Sequence, residues 1–280
     1  MLNRGSRPTV TNCNFSGNSA SLTGGGMYNY NSNPTVTNCS FSGNPAQNGA
    51  GMYNFISSTT LTRCTFISNT TFEGKDGANG SSHGGDGGPG GDGAGMYNNQ
   101  SHATVTDCIF SLNMTGMGGT GGDASDFDGI PGKGADGGSA AGVYNLDCSP
   151  EFTRCVFTGN QTGRGAKGGV LSYSKNSGDG GDGAGMYNRN ASPVIVDCNF
   201  IINITGVGGI NARWDGSAGD GGNGAGIFDF NSSPMITRCM FIDNQTGNGG
   251  NCTKDGGAVG VVAERVVMGQ ESTMSIALLR

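Results

Sequence analysis

The sequence predicts an all-β fold: a right-handed, single-stranded parallel β-helix of about seven stacked coils, with glycine-rich insertions leaving one edge. Three observations predict it. Cys13, Cys39, Cys64, Cys108, Cys155, Cys198 and Cys239 sit in the same short phrase, written P-T-V-T-N-C-x-F-S-G-N from Pro8 and again from Pro34. Each of these cysteines is followed two residues on by Phe (Phe15, Phe41, Phe66, Phe110, Phe157, Phe200, Phe241) and three further on by Asn (Asn18, Asn44, Asn69, Asn113, Asn160, Asn203, Asn244). A second phrase closes most intervals: GGMYN at Gly25, GMYN at Gly51, Gly95 and Gly185, GVYN at Gly142 and GIFD at Gly226. A unit this short has no core of its own and becomes stable by stacking on its neighbours.

The spacing of apolar positions specifies the shape of a coil. Three residues before each cysteine stands Val10, Val36, Leu61, Val105, Phe152, Ile195 or Ile236. On a straight strand, side chains three apart face opposite ways, so two apolar columns at that spacing require a bend between them. Asn12, Asn38, Asp107 and Asp197 occupy that position, and Asn and Asp tolerate left-handed backbone. Cys and Phe, two apart, then share the inward face of the next strand. Equivalent letters in successive coils would lie about 4.8 Å apart, where asparagine ladders and stacked aromatics stabilise in-register strands. The residue before each cysteine runs Asn12, Asn38, Arg63, Asp107, Arg154, Asp197, Arg238. This alternation suits vertical stacking, because opposite charges facing each other across strands attract.

Composition narrows the function. Glycine supplies 56 of 280 residues, charged residues only 13%, and the formal net charge is −6. Such a chain escapes disorder through repetition, which buries a narrow continuous core with few apolar residues per coil. Its 15 basic residues are scattered, which argues against nucleic acid, whose phosphates need clustered Lys or Arg. No apolar run reaches the roughly 18 to 20 residues of a membrane span. The first residues lack an apolar signal core and enter almost directly into the repeat, so the chain reads either as cytosolic or, as the mid-pattern start favours, as an internal piece of a longer secreted protein.

The FxxN phrase paired with G-G-small-apolar resembles the repeat of polymorphic outer-membrane proteins and, more widely, of bacterial right-handed β-helix repeat proteins. The likeness runs over roughly residues 8 to 260. It implies a secreted or cell-surface β-helix of pectate-lyase-like architecture, often an adhesin or autotransporter passenger. The sequence departs from that pattern in its long insertions and in having no membrane-barrel segment.

Those insertions fall at about residues 70–94, 114–141, 161–184 and 204–225, within a repeat region spanning 1–260 and ahead of a non-repeat tail or cap at 261–280. Cysteine spacings of 26 and 25 give way to 44, 47, 43 and 41, and the extra residues always enter between the FxxN asparagine and the closing glycine. Counted back in threes, their non-glycine residues fall in register: Asp92, Pro89 and Asp86; Ser139 and Asp136; Asp182 and Asp179; Asn223 and Asp220. A three-residue glycine period is that of polyproline II backbone. Two readings stay open, a sheaf of packed extended segments and a set of mobile coil loops.

Candidate sites are few. Asp92, Asp136, Asp179, Asp182 and Asp220 would share a stacked edge with oxygen ligands suited to Ca²⁺, or serve as solubilising turn residues. No other cofactor is implied. The cysteine column reads as core, with Cys148 and Cys252 outside it as better candidates for bridges. Asn69, Asn113, Asn160, Asn203 and Asn244 also begin N-x-T, the glycosylation pattern. Trp214 with Arg213 and Asp215 forms one aromatic-plus-charge cluster, a possible sugar-stacking patch. The sequence therefore points to an extracellular or outer-membrane surface scaffold or adhesin. Its partners would be a host or neighbouring-cell surface, a polysaccharide or copies of itself. A polysaccharide lyase or glycoside hydrolase is the alternative, and ice or mineral binding by the regular edge a third.

Overall fold

The computed structural model describes residues 1–170, 175–211 and 216–251. Three parallel seven-stranded sheets run along a common axis, each coil giving one short strand to each. The tyrosine sheet is built from Leu2–Arg4, Met27–Tyr30, Met52–Phe55, Met96–Asn99, Val143–Leu146, Met186–Arg189 and Ile227–Phe230. The threonine sheet begins at Thr9–Thr11 and ends at Met235–Thr237, and the phenylalanine sheet runs from Asn14–Ser16 to Met240–Ile242. Pairing is in register throughout: Phe41 lies opposite Phe66, Val36 opposite Leu61, and Tyr53 opposite Tyr97.

Strand corners are fixed by left-handed residues. All seven residues preceding the column cysteines have φ between 49° and 55°, Asn12 and Arg238 at the extremes. The bend between the threonine and phenylalanine sheets is thereby confirmed, even where Arg63, Arg154 and Arg238 occupy it. A second corner precedes each FxxN asparagine. There Gly17, Gly43 and Gly159 are replaced in other coils by Ser68, Leu112 and Ile202, all still at positive φ. A β-branched residue in that region is disfavoured, so the stacked neighbours above and below impose the turn.

The core is a set of columns. Phenylalanine rings from Phe15 to Phe241 stack nearly parallel, with successive centroids 4.5 to 5.0 Å apart and interplanar angles of 1° to 8°. The closing glycine lies against this column: a Cβ on Gly51 would come within 2.9 Å of Phe66 Cδ1. Cys39, Cys64, Cys108, Cys155 and Cys198 are buried and carry free thiols, whereas Cys13, in the first coil, is exposed. Cys148 is buried and unbridged as well, and burial pushes its thiol up to about 12. Cys252 and the residues 261–280 of the expected cap lie outside the described residues.

Two asparagine ladders hold the coils together. In the FxxN column each side-chain carbonyl accepts both the backbone N–H and the Nδ2–H of the preceding coil's asparagine. Asn69 makes both bonds to Asn113 Oδ1, at 3.1 and 3.0 Å. Asn113 Nδ2 then donates to Phe66 O at 3.0 Å and to Asn160 Oδ1 at 2.9 Å. The four central members that begin N-x-T, Asn69, Asn113, Asn160 and Asn203, are wholly buried, so these side chains are ladder rungs and not sugar acceptors. A second ladder runs through the N of M-Y-N, from Asn3 through Asn29, Asn54, Asn98, Asn145 and Asn188 to Asp229, at 2.7 to 2.9 Å per step. The charged corner column resolves into separate exposed pairs, Arg154 with Asp107 at 2.7 Å and Arg238 with Asp197 at 2.6 Å.

Asn113→Ala strands the buried N–H and Nδ2–H of Asn69, both of which donate to its Oδ1. Each buried group left unpaired costs about 1–3 kcal/mol, so a loss of about 3 kcal/mol or more in denaturant unfolding is expected. The exposed pair variant Asp107→Asn should shift the midpoint far less.

Candidate binding surfaces

The insertions form an ordered second body on the edge of the solenoid. Outgoing legs (residues 72–80, 115–124, 162–170, 205–211 and 246–251) lie side by side in one layer, and return legs (83–92, 130–139, 175–182 and 217–223) in another. A glycine at one position of each three-residue period donates to the next leg of its own layer: Gly74 to Met117 O, Gly77 to Thr120 O, Gly118 to Arg164 O, Gly137 to Asp179 O. A second glycine of each triplet donates across the layers, as Gly85 does to Ala78 O, Gly119 to Gly88 O and Gly163 to Gly138 O. With two of three residues turned towards neighbouring backbone, only the third carries a side chain outward. That is why glycine recurs: a Cβ on Gly118 or Gly119 would overlap a carbonyl of an adjacent leg. The first outgoing leg has no leg before it, and there Phe72, Lys75 and Ala78 stand where later legs have Gly116, Gly119 and Gly122.

Threonine anchors this sheaf to the solenoid, a role that sequence reasoning missed. Thr71 donates its hydroxyl to Gly91 O at 2.6 Å and accepts the N–H of Gly116 at 2.8 Å. Thr205 repeats both bonds with Gly222 and Gly247, at 2.6 and 2.8 Å. Thr115 and Thr162 do the same. The signal was present: the residue two after the FxxN asparagine is threonine in coils with an insertion, but Ala20 and Ala46 in the two coils without one.

The aspartates expected as metal ligands divide between two columns of the return layer. Asp136, Asp179 and Asp220 stack in one, where Asp136 accepts the N–H of Asp179 and Asp179 that of Asp220, at 2.8 and 2.7 Å. Asp92 and Asp182 lie three residues along, in a column shared with Ser139 and Asn223; Asp92 accepts Ser139 N–H at 2.7 Å and Asp182 accepts Asn223 N–H at 2.6 Å. Among the described residues no group of three or more His, Cys, Asp or Glu side chains converges as a metal-ion site. Desolvation raises Asp179 and Asp182, and pushes Asp92 up to about 6 despite its bond from Ser139. The outer face of the outgoing layer holds a shallow recess of 310 Å³ lined by Asp76, Asn79, Thr120, Asp123 and Lys167. There Thr120 N–H donates to Asp76 at 2.7 Å and keeps that carboxyl below its ordinary range. Arg213, Trp214 and Asp215 lie outside the described residues.

The exterior of the tyrosine sheet is the most aromatic surface. Its first outward column is Tyr28, Tyr53, Tyr97, Tyr144, Tyr187 and Phe228; the second holds Tyr30, Phe55, Asn99, Leu146, Arg189 and Phe230. The base of the sheaf covers the middle of this band. Tyr97 and Tyr144 pack with Ala140 and are buried, and desolvation raises both phenols. Towards the two ends the cover falls away in part: Tyr28, Tyr30, Tyr53 and Phe55 are half-buried and Phe230 is exposed. In the first coils Tyr30 and Phe55 lie 5.6 Å apart, with the Arg4 guanidinium 5.4 Å over Tyr30; at the far end Arg189 stands 5.9 Å from Phe230, which is 46% exposed.

A family model described as a right-handed β-helix region matches residues 1–130. No curated protein matches the chain. The fold is a right-handed parallel β-helix. Among the described residues of this β-helix no helix is long and apolar enough to cross a membrane.

Thr162→Val keeps the shape but removes the hydroxyl that links Gly206 N–H to Gly181 C=O, leaving only their direct bond of 3.3 Å, at a cost of about 0.5–1.5 kcal/mol. Amide exchange at Gly206 should accelerate while that at Asn113, in the ladder, stays protected. Asp92 gives a pH signature. Its folded pKa lies above the ordinary 3.8, so its contribution to stability is fully present below about 3.8 and is lost as pH rises through about 6. Wild type is expected to gain about 1 kcal/mol from Asp92 between pH 7 and pH 5, after allowance for its partial exposure. Asp92→Asn should remove that part of the gain in urea unfolding.

Proposed function

We propose that this β-helix is a surface-exposed or secreted adhesive scaffold that holds polysaccharide on the partly exposed aromatic ends of the tyrosine sheet. One observation carries the reading: Tyr28, Tyr30, Tyr53 and Phe55 form a two-column aromatic patch on the outside of a rigid sheet, with Arg4 beside it. Exposed contiguous apolar patches rimmed by polar groups mark interaction surfaces. Aromatic faces offer flat apolar area to the C–H faces of sugar rings, and the adjoining guanidinium offers donors to hydroxyl or carboxylate groups. Because the rings are carried on paired strands, little conformational entropy is lost on binding. Resemblance of the FxxN and G-G-x-apolar phrases to polymorphic outer-membrane protein repeats supports a location outside the cell.

Retention on insoluble plant and bacterial polysaccharides tests this. Wild type should be retained, and the double variant Tyr30→Ala, Phe55→Ala should pass through with an unchanged melting temperature. Release of unsaturated or reducing products by wild type would favour the lyase or hydrolase alternative. Equal retention of both proteins would remove the aromatic patch from the account.

A further inference from the structure

The outer face of the threonine sheet presents a different surface. In the first four coils its outward positions are all threonine: Thr9 and Thr11, Thr35 and Thr37, Thr60 and Thr62, Thr104 and Thr106, paired in register. The second column continues with Thr153 and, after Val196, Thr237. In parallel-sheet geometry these side chains form a grid of about 4.8 Å along the axis by about 6.6 Å along each strand. A grid that regular is rare on a protein surface, because it needs identical residues in successive coils with no slip of register. Here the ladders and stacked rings beneath it hold that register.

Three properties limit what such a grid can bind. First, it is uncharged: no Lys, Arg, Asp or Glu stands among the eight threonines, and Glu151 enters the first column only in the fifth coil. Second, all eight side chains face solvent, five of them exposed and three half-exposed, and none has its hydroxyl bonded to a protein partner among the described residues. Each hydroxyl therefore retains one donor and two acceptor positions for water. Third, threonine is stiff at χ1, so hydroxyl and methyl groups recur in fixed rows. An ionic polymer asks for opposite charge and a sugar ring asks for an aromatic platform, neither of which this face has. A neutral periodic lattice of donors and acceptors is matched by another neutral periodic lattice of donors and acceptors.

We infer that the threonine sheet binds the surface of crystalline ice. Water held between the two columns bonds to the hydroxyls while the methyl rows fill the hollows between those waters, and the layer so ordered merges with the crystal. Each contact is weak, and affinity comes from the many made at once by a rigid array. This site lies on a different sheet from the aromatic patch and does not depend on the adhesive reading.

Partitioning into a slowly growing ice hemisphere, with crystal shape followed by microscopy, tests the inference on the full chain. Wild type should enter the ice and facet the crystals. Thr62→Tyr, which breaks the grid at its centre from an outward position, should be excluded from ice with an unchanged melting temperature. Tyr53→Ala, on the tyrosine sheet, should partition as wild type does. Exclusion of wild type, or equal entry of the Thr62→Tyr variant, overturns the inference. So does loss of entry in Tyr53→Ala with retention in Thr62→Tyr.

Discussion

Vertical registry between equivalent residues of successive coils is the constraint on which this structure rests. Each coil is too thin to exclude water by itself, and its strands in the three long sheets are three or four residues long. Backbone hydrogen bonds between coils fix the spacing, and the side-chain ladders fix the register. A slip of one residue would turn Phe outward and put the buried FxxN carboxamides out of reach of their partners, so misalignment is penalised in every column at once. Asn is well suited to this role because its amide both donates and accepts, so one residue type can repeat without end. At the last described coil the second ladder accepts Asp229 in place of Asn, and burial raises that carboxyl.

The glycine-rich sheaf obeys the same constraint in a different backbone. Its legs have no side-chain core. Cohesion comes from backbone hydrogen bonds made on two of the three faces of every leg, with a side chain allowed only on the third. Such a structure is costly in conformational entropy, since glycine loses the most on ordering, and it forms here because both ends of each leg pair are fixed by the solenoid. Thr71, Thr115, Thr162 and Thr205 couple the two bodies. The solenoid thus sets the spacing of the legs, and the legs bury the middle of the tyrosine column.

The three exterior faces consequently differ in chemistry while sharing one geometry. Outward positions escape the demands of the core, so they vary: tyrosine and phenylalanine on one sheet, threonine on the second, small polar and aliphatic residues on the third. The return layer of the sheaf adds a face of aspartates, of which Asp92, Asp136, Asp179 and Asp182 accept from the backbone of the next leg. These faces are where function can reside without disturbing the fold.

Much of this was legible in the sequence. The inward Val, Cys and Phe columns, the left-handed corner before each cysteine and the Asn ladder of FxxN follow from letter spacing alone, because a period of two within a strand and one coil between repeats leaves a single consistent stacking. The three-residue glycine register likewise put Asp136, Asp179 and Asp220 in one column and Asp92 and Asp182 in the next. Other features depended on tertiary structure. Sequence left the sheaf and the mobile loops both open, because glycine permits both, and only the neighbouring legs supply the acceptors that decide between them. The N-x-T threonines read as part of a modification pattern until the return leg brought Gly91 and Gly181 within reach of their hydroxyls. Burial of Tyr97 and Tyr144, against the partial exposure of Tyr30 and Phe55, was equally invisible, since it depends on where the sheaf sits and not on the repeated phrase that carries these rings.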